Sequence, residues 1–255
     1  AAAPNDLLQM DFLGPRPLAG GASVHVLSLL DDHSRFALAL AGGADQRLET
    51  VWAVLERAFR RHGLPRAVLA DNGPPWGRSG AGGVTRLEAR LLRLGVEPLH
   101  GRPYHPQTQG KVERFHRTVA AEVFAADPPA TRAAAQRRLD AFRAAHDRER
   151  PHEALGLATP ATAYRASPRR LPAALPEPAY EPGDQVRRVR DQGAISFRNR
   201  PWFVGRGLAG ETVAVRPGPV DGVYHVAFCA RRVATIDLRD GSWELDGVTD
   251  HAEHL

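Results

Sequence analysis

A chain of 255 residues, 43% hydrophobic and 25% charged, can form one good-sized core and a smaller second one, which excludes a wholly disordered or membrane class. Its net charge of +5 permits a polyanionic partner without requiring one, and with Lys111 the only lysine the positive charge is almost all arginine. The lone Cys229 excludes a disulfide framework and a cysteine-based zinc knuckle, as in a reducing setting.

In chain order, three short β-like runs come first, around Leu7–Phe12, Ser23–Leu30 and Phe36–Leu40. Gly14-Pro15, Gly20-Gly21 and Asp32-His33-Ser34 separate them as turn signals, so an antiparallel meander is expected. Leu48, Val51, Trp52, Leu55 and Phe59 then recur at helical spacing up to His62-Gly63, with Pro65 just beyond. Ala67–Ala70 reads as a short buried strand ending at Asp71-Asn72-Gly73. Val84, Leu87, Leu91 and Leu94 give a second amphipathic helix, and Val96–Leu99 a further strand. Two helical stretches follow, about Gln109–Ala125 and Thr131–Asp147. Strands followed by alternating helices and strands predict an α/β fold, a mixed sheet with helices on its faces.

Pro168, Pro172, Pro176, Pro178 and Pro182 mark an extended connector over 167–184. Beyond it, Ala194–Phe197, Pro201–Val204, Thr212–Arg216, Tyr224–Phe228 and Arg232–Ile236 alternate between Gly- and Pro-bearing turns, predicting a small all-β barrel over 185–240. Glu244, Asp246, Asp250 and Glu253 suggest an acidic tail over 241–255. Apolar runs such as Val24–Leu30 are far shorter than the roughly 20 residues of a membrane helix. The Ala-Ala-Ala-Pro start lacks a basic leader and a Met, so a cytoplasmic protein is expected, here without an upstream part.

Three carboxylates stand out by position. Asp11 interrupts an apolar strand, Asp71 follows a buried one, and Glu113 edges the Val112, Phe115, Val119, Val123 stripe of a helix. Taken singly, Asp71-Asn72-Gly73 can be only a turn and Glu113 only an ion-pair partner of Arg117, four residues on. A buried unpaired carboxylate such as Asp11 is harder to explain away. Were the three to converge, their repulsion would require divalent cations, and hard oxygen ligands suit Mg²⁺ or Mn²⁺. Asp31 and Asp32, by contrast, read as a turn that bonds its own backbone, with Asp32 also near Arg35.

The stretches Leu8-Gln9-Met10-Asp11-Phe12, Leu29 to Arg35, Asp71-Asn72-Gly73 and Tyr104 to Thr118 together resemble the integrase-core signature of bacterial insertion-sequence transposases of the DDE superfamily. The resemblance covers roughly Asn5 to Tyr164 and is most specific from Tyr104 onward. It implies a ribonuclease H-like five-stranded sheet in an integrase-like core over 1–166, with Asp11, Asp71 and Glu113 as the catalytic, metal-binding set for two Mg²⁺ or Mn²⁺ ions. It also implies cleavage at element ends, strand transfer into double-stranded target DNA, and a homo-oligomer in the bacterial cytoplasm, associated with the nucleoid. Tyr104, Gln107, Gln109, Lys111, Arg114 and Arg117 would meet DNA, His105 and His116 would lie near the site, and the domain order extends DNA contact to Arg187, Arg188, Arg198 and Arg200. The interval from Asp71 to Glu113 is longer than in many relatives, the excess falling in Pro74 to Gly83. A metal-dependent nuclease that only hydrolyses shares every ligand, and an inactive DNA-binding remnant shares the basic surface.

Overall fold

The computed structural model describes residues 1–71, 73, 83–100 and 110–246. Two compact units emerge, one from residues 1–71 and 99–171 and the other from 72–98 and 172–246, each taken over its described residues.

In the first unit β1 (Leu7–Pro17), β2 (Ser23–Asp31) and β3 (Ala37–Gly43) form the expected antiparallel meander. Helix α1 (Leu48–His62) crosses to β4 (Ala67–Ala70), which pairs parallel to β1, and β5 (Glu97–His100) completes the order β3-β2-β1-β4-β5. A strand that returns parallel to a partner needs such a helical crossover. Helix α1 buries Val51, Leu55 and Phe59 of the stripe read from the sequence, with Val54 and Ala58 in place of the half-buried Leu48 and Trp52, and stops at Gly63, whose φ of 78° favours glycine. A Cβ at Gly63 would stand 2.4 Å from the Ser167 carbonyl oxygen, so the chain returning at 167 also requires glycine there.

The main difference from the sequence reading lies in β1. Gly14-Pro15, expected to end the first strand, is absorbed as a bulge, with the register shifting between Leu13 and Pro15 while β2 continues to pair through Arg16 and Pro17. A bulge tolerates Gly and Pro because one residue there leaves the ladder. The sheet face bearing Leu13, Val24 and Val26 forms a core with Phe115, Val119, Leu139 and Phe142 of helices α3 (Gly110–Val119) and α4 (Arg132–Arg148). Burial of each such side chain contributes about 1.5–3 kcal/mol. After Val119 the winding of α3 loosens into a π-helix over Ala120–Ala125.

In the second unit, α2 (Arg86–Arg93) starts with a capping box in which Thr85 and Glu88 exchange hydrogen bonds. Val84, Ala89 and Leu92 enter one core with Ile195, Phe197, Trp202, Val213 and Phe228. The sequence reading assigned α2 to the first domain. Its apolar stripe was legible, but the surface that covers it comes from residues beyond 184. A Cβ at Gly207 would lie 2.1 Å from the Val84 carbonyl oxygen, so the contact depends on a residue without a side chain.

The all-β module is a five-stranded antiparallel sheet in the order β12-β11-β10-β9-β6, with the hairpin β7 (Ala194–Phe197) and β8 (Arg200–Phe203) sharing its core. The remaining strands are β6 (Gln185–Arg188), β9 (Thr212–Pro217), β10 (Val223–Phe228), β11 (Arg231–Asp237) and β12 (Trp243–Leu245). Strand β12 falls where an acidic tail was expected. It is an edge strand pairing Ala234–Ile236 with exposed Trp243 and Glu244, so it carries no hydrophobic alternation to announce it. Residues 247–255 lie outside the described residues. The proline-rich connector is extended and tied down locally: Ser167 N–H donates to the His62 carbonyl in the first unit, and Arg93 donates to the carbonyls of Leu175 and Pro176 in the second.

Candidate active site

Asp11 sits in β1 opposite Ser28, with its side chain 19% exposed. Strand β4 pairs Leu7 with Ala67 and Gln9 with Leu69. Continuing that offset brings Asp71, just beyond β4, level with Asp11 on the neighbouring strand, where parallel strands run about 4.8 Å apart. The Asp71 carbonyl is held by His100 Nδ1 at 2.9 Å. Glu113 projects from the exposed side of the first turn of α3.

Asp71 and Glu113 both act on Asp11. Burial first, then the Asp71 charge, push the Asp11 carboxyl up to about 6; the Phe12 N–H, donating at 2.7 Å, opposes the rise and Glu113 adds to it. Among the described residues, however, no group of three carboxylate, histidine or cysteine side chains closes around one point as metal ligands would. Asp11, Asp71 and Glu113 are thus brought within electrostatic reach rather than into a finished coordination shell. The donor set still fits a divalent cation, because a half-buried carboxylate with a raised pKa beside two others is stabilised in its charged form by positive charge.

His116, one turn after Glu113, lies beside the Asp11 carboxyl. Its Nδ1 stands 3.5 Å from Asp11 Oδ2 and its Nε2 2.7 Å from Ser28 Oγ. Burial, then the nearby Arg16 charge, hold the imidazole down to about 4, so it is neutral near pH 7 and makes no ion pair with Asp11. The Ser28 hydroxyl donates its single proton to the Asp11 carbonyl at 3.2 Å. That requires Nε2 to carry the imidazole proton and leaves the Nδ1 lone pair facing the carboxyl.

Lys111, expected on a phosphate, instead donates to Asp32 Oδ1 at 2.7 Å and to the Asp32 carbonyl at 3.2 Å. Asp32 Oδ1 also accepts from Gln9 Nε2, whose Oε1 accepts from Val112 N–H. Burial would raise Asp32, but the Lys111 bond and the Ala1 ammonium, 2.6 Å from Asp32 Oδ2, together outweigh it and hold the carboxyl below its usual range. This chain of bonds fastens the first turn of α3 to β1. Asp31 accepts from Asn5 N–H, Ser34 N–H and Ser34 Oγ, as the turn reading required. Arg35 bonds the carbonyls of Asp32 and His33 rather than the Asp32 carboxylate.

Arg114 and Arg117 are exposed on α3, and the Glu113–Arg117 ion pair that could have explained Glu113 away does not form among the described residues. Tyr104, His105, Gln107 and Gln109 lie outside the described residues. In the second unit, Arg187 and Arg198 lie 6.0 and 5.8 Å from the Phe197 ring centre and Arg200 5.0 Å from that of Trp202. Arg198 and Asn199 both take positive φ, the two-residue hairpin turn that exposes them. Arg188 is exposed on β6. The residues that sequence reading passed over are Ser28, whose partner lies 88 positions away, and Arg16, beyond the unforeseen bulge.

Comparison with known proteins matches residues 1–106 and 94–160 to integrase core domain families, and residues 184–244 to the C-terminal domain of IS481 family transposases. The Gag-Pol polyprotein of baboon endogenous virus (strain M7) is 29% identical over 111 residues, 44% of this chain and 6% of that polyprotein. The Pol polyprotein of feline endogenous virus ECE1 is 30% identical over 112 residues, 44% of this chain and 10% of that protein. The chain therefore spans only a small part of these relatives. A chain from the simian T-cell lymphotropic virus intasome in complex with PP2A regulatory subunit B56 gamma aligns with a TM-score of 0.53 at 15% identity, covering 91% of this chain and 79% of that one. Sheet order and this alignment define the fold as ribonuclease H-like, and the family models identify its core as an integrase core. The chain belongs to the insertion-sequence transposases of the DDE superfamily with a retroviral-integrase-like core, and the family matched by its C-terminal module is IS481.

Proposed function

We propose that this chain is a polynucleotidyl transferase that cleaves the 3′ ends of a mobile element and joins them to target DNA, acting as a homo-oligomer in the bacterial cytoplasm. The observation that carries this is the Asp11 carboxyl, raised to about 6 by burial and by Asp71, with Glu113 supplied by the helix that Lys111 and Gln9 fasten to the same strand.

Asp11, Asp71 and Glu113 would hold Mg²⁺ or Mn²⁺, two ions per site, which when bound activate the attacking oxygen and stabilise the leaving one. In the first reaction water attacks a phosphodiester; the P–O3′ bond breaks, and the leaving oxygen takes a proton to become a free 3′-hydroxyl. In the second, that hydroxyl attacks a target phosphodiester, one P–O bond forming as another breaks, with no covalent protein intermediate. The Asp32–Lys111 pair sets the height of Glu113. Arg114, Arg117 and, in the C-terminal module, Arg187, Arg188, Arg198 and Arg200 would contact the DNA backbone.

Substitution of Asp11→Asn, Asp71→Asn or Glu113→Gln should abolish strand transfer in a gel assay while leaving DNA retention largely intact. Full activity in any one of the three would refute the assignment. Supplying a pre-cleaved 3′-hydroxyl end separates transfer from hydrolysis alone, since a simple nuclease gives no joined product.

A further inference from the structure

The β1 bulge redirects one side chain. Asp11 pairs with Ser28, Leu13 with Val26 and, after the shift at Gly14, Arg16 with Val24. The partners Ser28, Val26 and Val24 alternate at spacing two and so share one face of β2, which puts Asp11, Leu13 and Arg16 on one face of β1. Without the extra residue Arg16 would point from the opposite face. Bulges beside functional sites commonly re-aim a side chain in this way.

On that face Arg16 lines a cavity of about 490 Å³ together with Leu13, His116, Arg117, Ala120 and Ala121. Among the described residues no carboxylate lines it. Two arginines therefore border a space that shares His116 with the surroundings of Asp11. Arg16 Nε is shut off from solvent and has no hydrogen-bond partner among the described residues. A buried donor left unmade costs folding free energy, more so on a charged group, and such an atom in a folded protein calls for an explanation. The far wall of the space is the π-helical stretch from Ala120, where alanines leave room; π winding within an α-helix is itself frequent at functional sites.

We propose that Arg16 and Arg117 form a seat for one backbone phosphate of the DNA strand that crosses the carboxylates. This rests on the transposase reading above and adds to it a contact from β1. The planar guanidinium of Arg16 gives directed N–H donors suited to a phosphodiester, and the bulge holds it on the same strand and face as Asp11.

The test is fluorescence anisotropy of the whole chain with a labelled DNA duplex over a series of salt concentrations. Arg16→Gln should weaken binding severalfold and flatten the plot of log affinity against log salt by about 0.9, the loss of one phosphate contact. Arg16→Lys should restore part of the slope. Arg57→Gln, lining a separate cavity of the first unit, should change neither. The melting temperature of Arg16→Gln should be no lower than that of the unsubstituted chain. Unchanged affinity and slope in Arg16→Gln, with the unsubstituted chain binding DNA, overturns the seat alone. A lower melting temperature with weakened binding that Arg16→Lys does not relieve assigns Arg16 a purely structural role and also overturns it. Failure of the unsubstituted chain to bind DNA removes the functional reading, and the seat with it.

Discussion

The two units handle charge in opposite ways. In the first, charged and titratable groups are buried and interlocked: Asp31 in its turn, Asp32 on Lys111 and Gln9, Asp147 on the Ala37 N–H. In the second, Arg187, Arg198 and Arg200 lie over Phe197 and Trp202 and reach toward solvent. Buried networks fix geometry, because each group has one place where its bonds are made, and they respond little to salt. Surface arginines on aromatic platforms fix little, but they present charge to any polyanion and weaken with ionic strength. The difference suits chemistry in one unit and adhesion in the other.

The contrast can be tested at four levels of severity. Trp202→Ala removes the platform itself, a 2% exposed ring whose Nε1–H donates to the Phe197 carbonyl, and should cost about 3–5 kcal/mol in denaturant unfolding. A cost below about 1 kcal/mol would mean that the module does not depend on that ring. Asp32→Ala removes the carboxylate that Gln9 Nε2, Lys111 and the Ala1 ammonium share and should cost about 1–3 kcal/mol. Strand transfer should fall with it, while the salt dependence of DNA binding stays the same.

A pH titration of stability comes third. Burial, opposed by the Ala37 N–H and by Arg143, raises Asp147 to about 7 from the ordinary 3.8. The folded state therefore binds this proton more tightly than the unfolded state, and stability falls as pH rises from about 4 through 7. His62, held down to about 4 chiefly by burial, acts with the opposite sign, its contribution rising over the span from about 4 to 6.5. Asp147→Asn should remove its own part of the falling component, to which Asp11 also contributes, so its stability minus that of the unsubstituted chain should grow across this range; a constant difference would disprove the assignment. Mildest is Arg198→Gln with Arg200→Gln, expected to change stability by less than about 0.5 kcal/mol and to flatten the salt dependence of DNA binding by about 1 per residue.

Local periodicity made much of the frame legible. The α1 helix and the meander could be read because each follows from spacing along a single element, which also put Asp11 in a strand, Asp71 beyond one and Glu113 on a helix; only the family resemblance joined the three into one set. What could not be read depends on distant partners. Gly14-Pro15 looks like a turn until β2 is seen to continue pairing beyond it, and Lys111 looks like a phosphate ligand until Asp32, 79 residues earlier, supplies the anion. Helix α2 announced its apolar side but not what would cover it, and β12 announced nothing, because an edge strand with exposed side chains has no pattern to show.

The placement of α2 bears on how the protein can be dissected. Val84, Ala89 and Leu92 lie between Asp71 and Glu113 in the chain, yet they are sealed by residues beyond 184, with Gly207 pressed against the Val84 backbone. Cutting at the proline-rich connector would therefore not yield a tidy amino-terminal fragment. It would leave an oily helix uncovered in the middle of the segment linking two of the three acids, a product expected to clump rather than to work.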